Sequence, residues 1–199
     1  MLKVLITILL FSILLVSFAC QKSGSSSSSG SSSFLGDDTA EAVKFIDQAN
    51  GDLREIKKIY IANQDKIDEL SSAMNDKEAE KVKTIADALV TEINKGLILG
   101  GSAIEKIEKA KNLDVNSTFK EYLSMKSESL RLQLEAFGFR LEAAQVLRDG
   151  FGGKDLQAID KAKVILTEKE TEFKKLMEEG RSKSQEANEF AVENSKKKQ

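Results

Sequence analysis

Histidine, proline and tryptophan are absent from these 199 residues, and cysteine occurs once. Each absence closes a class of chemistry. Without imidazole there is no histidine base and no histidine-ligated zinc, haem or iron site. One cysteine excludes a disulfide-stapled fold. Charge of one sign is also lacking: 30 basic against 32 acidic side chains give a net charge of -2, with no basic excess of the kind nucleic-acid binding needs. No metal, cofactor or nucleic-acid partner is therefore expected.

What is present begins with residues 1–20, MLKVLITILLFSILLVSFAC, where one positive charge at Lys3 precedes an uncharged apolar run to Ala19. That is the layout of a signal peptide. A retained membrane anchor needs about 20 apolar residues, which this run nearly supplies, so the end of the run decides between the two. The segment Val16-Ser17-Phe18-Ala19-Cys20 resembles the lipobox of bacterial lipoproteins, although Ser17 stands where most lipoboxes carry leucine. The resemblance implies cleavage after residue 19 and lipidation of Cys20, by palmitate or a similar acyl chain. It also implies an extracytoplasmic protein held on a membrane of the bacterial envelope, at the outer membrane or cell surface. Removing Lys3 would leave 29 basic against 32 acidic groups, or -3. Several acyl chains hold a protein far more firmly than one.

Residues 21–36, QKSGSSSSSGSSSFLG, cannot bury apolar surface and read as a flexible tether spanning about 22 Å. The domain organisation is thus a signal peptide over 1–19, a lipid-anchored tether over 20–36 and a folded domain over 37–199.

That domain reads as all-α, an elongated antiparallel bundle of about four long helices. Strand-like alternation is missing, and Ala, Leu, Glu and Lys dominate. Asp38-Thr39-Ala40-Glu41 is a variant capping box for the first helix. Its seam follows in 4-3 steps: Ala42, Ile46, Ala49, Leu53, Ile56, Tyr60, Asn63, Ile67, Leu70 and Met74. Asn63 is the polar exception, either fixing register against a partner helix or touching a ligand.

A second helix from about Asn75-Asp76 has the seam Val82, Ala86, Leu89, Ile93, Gly96, Gly100, Ala103, Ile107 and Ala110. Gly96 and Gly100 fall on its packing face, but adjacent Gly100 and Gly101 cost about 2 kcal/mol in a helix interior. Ser102-Ala103-Ile104-Glu105 could restart a helix there, so a kink or break at 99–102 is expected. The third helix starts at Asn116 or Ser117 and closes at Gly150-Phe151-Gly152-Gly153. A fourth, from near Lys154 or Asp155, has the seam Ile159, Ala162, Leu166, Phe173, Met177, Gly180, Ser184, Ala187 and Ala191. Its later residues are small, so packing should loosen there and residues 195–199 should fray.

The third helix carries two apolar stripes about 200° apart on a 100° wheel. One contains Phe119, Leu123, Leu130, Leu134, Phe137, Leu141 and Ala144; the other contains Tyr122, Met125, Leu132, Ala136, Phe139, Ala143 and Val146. Arg131, Glu135 and Glu142 divide them on one side, and Lys126, Gln133 and Arg140 on the other. Such a helix is packed on both sides or offers one face to a partner. Tyr122, Met125, Leu132, Phe139 and Val146 are the candidate face for a protein partner, self-association or an apolar ligand. Carboxylates such as Asp65, Asp68, Glu69, Glu178 and Glu179 read as solvated faces. The Ser-x-x-Lys spacings at Ser117 and Ser195 lack the accompanying motifs of serine acyl-enzymes.

Function is then expected to be non-enzymatic. The chain looks like the small helical lipoproteins of bacteria, spirochaete-type surface lipoproteins included, which implies binding or envelope interaction. The alternative is a carrier holding a lipid or other hydrophobic ligand in a cavity between helices.

Overall fold

The computed structural model describes residues 38–150 and 156–196, the side chains of 156–160 and of Ser195 excepted. Cys20, the tether, Phe151-Gly152-Gly153 and the last three residues lie outside the described residues, as does the side chain of Ile159. The described chain is helical almost throughout, with no strand. Its elements are α1 (Thr39–Ala62), α2 (Gln64–Asn75), α3 (Ala79–Asn112), α4 (Ser117–Gly150) and α5 (Leu156–Lys196). The first expected helix is thus divided in two at Asn63, and the others form single rods.

The helices pack in chain order. α1 and α2 lie on α3, α3 on α4, and α4 on α5, while no extensive contact joins α5 to α1 or α2 among the described residues. The start of α1 meets the α3–α4 turn: Asp38 N–H donates to the Asp114 carbonyl at 3.0 Å, and Asp114 N–H donates to Asp38 Oδ2 at 2.9 Å. This pairing occupies the Asp38 carboxylate that the capping box would have used, and Asp38 makes no side-chain cap of its own helix. At the same end, Asn116 Oδ1 caps α4 by accepting from Phe119 N–H at 2.8 Å. Lys77, in the opposite turn between α2 and α3, adopts a left-handed φ of 57°.

Two expectations about α3 and α5 need correction. α3 runs through Gly100 and Gly101 without a break. A Cβ on Gly100 would collide with the Leu134 side chain of α4, so the glycine is there for close approach, and the packing it permits outweighs its poor helix propensity. α5 keeps its packing through Ala187 and loosens only beyond it, where Ala191 and Val192 are exposed. Gly180, Ser184 and Ala187 are all buried, because α4 lays polar side chains against them and the helix continues to Lys196.

The apolar core is densest where the seams are built of alanine and β-branched residues. Ala42, Ile46 and Ala49 meet Ala103, Ile104, Ile107 and Ala110 of α3, with Leu123 and Leu130 of α4 beneath them. Each fully buried leucine or isoleucine contributes about 1.5–3 kcal/mol by leaving water. Small alanines let the helices approach closely at this end. From Leu53 onward the seam of α1 is large and only half buried, and the helices stand apart.

Candidate functional site

That separation encloses a cavity of about 380 Å³, partly open to solvent and lined almost wholly by hydrocarbon. It lies where α5 fails to reach α1 and α2. Leu53, Ile56 and Tyr60 of α1 form one wall, continued by Ile67, Leu70 and Met74 of α2. Leu89, Ile93, Gly96 and Leu97 of α3 form its floor, with no atom within 4 Å of where a Gly96 Cβ would stand. α4 contributes the stretch from Leu130 to Leu147, and α5 contributes Leu166 and Lys169. At 1.5 Å per residue, the α4 wall alone is about 25 Å long, so the cavity is a slot.

A polar band crosses the slot at mid-height. Arg140 of α4 and Glu170 of α5 line it from one side, with Arg140 Nη2 donating to Glu170 Oε1 at 3.4 Å. Both side chains are deeply buried, 11% and 10% exposed. The guanidinium lies over the Phe173 ring, 3.5 Å from its centroid, and its Nε is buried without a hydrogen-bond partner. Desolvation pulls the Arg140 pKa below its ordinary value, opposed by Glu170 and by Tyr60 across the slot. The group nevertheless stays charged at neutral pH.

Asn63 lines the opposite wall at the break between α1 and α2. Its Nδ2 donates to the Ile59 carbonyl at 2.7 Å, and its Oδ1 accepts from Lys66 Nζ at 2.7 Å. Both bonds are local. Asn63 therefore sets no register against a neighbouring helix; it satisfies the interrupted helix from within, at the edge of the cavity.

Of the five residues expected on one face of α4, only Phe139 borders the cavity. Its ring also packs with Ala136, Phe173 and Met177, beneath the Lys169 ammonium at 5.1 Å. Tyr122 stacks on Phe119 at 6.4 Å in the alanine-rich end. Met125, Leu132 and Val146 are half buried and do not reach the cavity. The helix is packed on both sides, by α3 and by α5.

Lys126, assigned by its charge to a dividing strip, is instead the largest fully buried side chain, 1% exposed. Its Nζ donates to Asn188 Oδ1 at 2.7 Å, Ser184 Oγ at 3.1 Å and the Ser184 carbonyl at 3.3 Å. Burial lowers its pKa to about 8.

Among the described residues no group of three or more acidic or sulfur ligands could hold a metal, and no helix is long and apolar enough to cross a membrane. No family model matches the chain, and no curated protein or solved structure matches it either. The slot is the feature of the domain that bears on function. It can take up an elongated apolar molecule, and it sets one charged pair midway along that molecule's path.

Proposed function

We propose that this is a lipid-anchored binding protein of the bacterial envelope that holds an elongated hydrophobic ligand between its helices. The observation that carries the reading is the 380 Å³ apolar slot. Its size falls within the roughly 300–1,000 Å³ of small-molecule sites, and hydrocarbon walls with a few fixed polar groups are what such sites use. The membrane part of the proposal is supported by residues 1–20 alone, in which Ala19-Cys20 ends the apolar run. An anchored carrier beside a bilayer meets its ligand at high local concentration.

Partner docking on α4 is the second reading, favoured by the half-buried state of Tyr122, Met125, Leu132 and Val146. It is weaker, because those residues are spread along a helix already packed on two sides.

The test uses Gly96, where the slot has open space. The wild-type chain is expected to bind an apolar fluorescent dye saturably at one site, and Gly96→Phe to abolish that binding while leaving circular dichroism and the melting temperature unchanged or raised. Undiminished dye binding by a folded Gly96→Phe protein, or no saturable binding by the wild type, rejects the reading.

A further inference from the structure

We infer that residues 53–72, the end of α1 and most of α2, are a strap hinged at Asn63 that closes on the molecule in the slot, a device that rests on the slot being a ligand site.

The stretch is fastened at its two ends. α1 is held before it by Ala42, Ile46 and Ala49, all buried, and by the ion pair of Lys106 with Asp52 at 2.6 Å. α2 is held after it by Ala73, the one buried residue of that helix, which packs with Val82, Ile85 and Ala86 of α3. Over residues 53–72 only Asn63 is buried, and it is polar. Leu53, Ile56, Ile67 and Leu70 border the slot half buried, so each gains only part of what full burial of its side chain would give. Polar contacts add little hold. Lys58 donates to Glu55, Asn63 to the Ile59 carbonyl and Lys66 to Asn63, all within the stretch, while Tyr60 faces the Arg140 guanidinium across the slot.

The backbone supplies the joints. The turn at Asn63 uncouples α2 from α1, and a helix of 12 residues is marginal in water without tertiary support. Lys77, just past Asn75 at the other end of α2, holds its left-handed φ of 57° in a second bend. The opposite wall is built otherwise. α4 and α5 are tied by Lys126 to Ser184, Ser129 to Gly180 and Arg140 to Glu170, and Gly100 brings α3 against Leu134 of α4. The slot therefore changes width on the α1–α2 side. An apolar molecule gives the inner face of the strap the partner it lacks, so filling the slot draws the strap in and orders it.

Hydrogen exchange of the full chain, read by mass spectrometry, tests this in the empty protein, with the neutral dye N-phenylnaphthylamine and in Gly96→Phe. In the empty protein the helical amides of 54–62 and 68–72 should exchange at least about tenfold faster than those of 43–49 in the alanine-rich end. Dye should slow the strap at least about tenfold and residues 130–147 of the opposite wall by less than about threefold. Gly96→Phe, which sets a ring in the open space of the slot, should slow the strap without dye. Equal exchange of the strap and of 43–49 in the empty protein overturns the inference while leaving the slot as a ligand site, and so does bound dye that slows both walls alike. No saturable dye binding rejects the slot as a ligand site, and the strap then stands or falls on whether Gly96→Phe slows it.

Discussion

The α4–α5 seam and the slot beside it reverse the usual relation between polarity and packing. The seam is filled, and toward the end of α5 it is polar: Ser129 Oγ donates to the Gly180 carbonyl at 2.7 Å, Gln133 Nε2 donates to Ser129 Oγ at 3.1 Å, and Lys126 is buried. The slot is apolar and partly open to solvent, although Leu53, Ile56, Ile67 and Leu70 stand in an unbroken heptad seam. Hydrocarbon drives helices together only when something stands opposite, and α5 stands opposite α4 alone. The seam residues are small enough to let two backbones approach and polar enough to satisfy each other. The difference teaches that the greasiest stripe of this domain marks its opening, and the polar strip marks its tightest contact.

The comparison breaks most severely at the boundary of the two regions. Glu170→Ala leaves Arg140 buried without a counter-charge and should cost about 3–5 kcal/mol. Denaturant unfolding checks it, and the double change with Arg140→Met should recover most of the loss. A single-variant cost below that of an exposed pair would show that the two charges are effectively solvated.

Two glycines sharpen the contrast. A Cβ on Gly180 would stand 3.1 Å from the Ser129 carbonyl oxygen and 2.9 Å from Gln133 Cγ, so Gly180→Ala should destabilise by about 2 kcal/mol. Gly96→Ala, in the open slot, should stabilise by about 0.5–1 kcal/mol through helix propensity alone. Thermal melts of the pair should therefore shift in opposite directions; shifts of one sign would mean that the slot is closed or the seam loose. Leu53→Ala belongs between them. As a half-buried residue on the rim of a void, it should cost about 1 kcal/mol, short of the 2–5 typical of a filled core. A midpoint change of core size would place Leu53 in a packed layer.

Much of the fold was readable in the residues, because the 4-3 rhythm reports which way side chains face. Val82, Ala86, Gly100, Ala103, Ile107 and Ala110 of α3 are buried as their spacing predicts, and so are Ala162, Phe173 and Met177 of α5. The rhythm does not report what stands across from a side chain. Leu89, Ile93 and Gly96 keep the same rhythm and border empty space. Asn63 interrupts a helix without disturbing the heptad, so the break left no trace in spacing. Gly100 was misjudged because helix propensity is local and Leu134 belongs to another helix. Arg140 falls in the strip that divides the two stripes, and nothing in the sequence singles out Glu170, for the same reason. Each is polar on its own helix, and only the approach of α4 to α5 places them inside. The stripe on α4 did lead to Phe139 at the slot, though not to the arginine next to it.

A comparably small effect concerns Lys126, the extreme case of a polar residue in the filled seam. Its charged form is desolvated and its folded-state pKa falls to about 8, against an ordinary 10.5. No carboxylate neutralises it; its Nζ hydrogen bonds go to Ser184 and Asn188. Below pH 8 the lysine is protonated in folded and unfolded chains alike, so stability does not change on its account. Between about pH 8 and 10.5 the folded chain has released the proton while the unfolded chain still holds it. The unfolded state then binds more protons, and stability rises with pH across that window. Moving from about pH 7 to 9 should therefore add about 1 kcal/mol. Lys126→Met should remove this rise while keeping a side chain of similar length in the seam. Urea midpoints at the two pH values measure it, and a wild-type midpoint that falls over this range as steeply as the variant's would show that the ammonium is solvated in the folded protein.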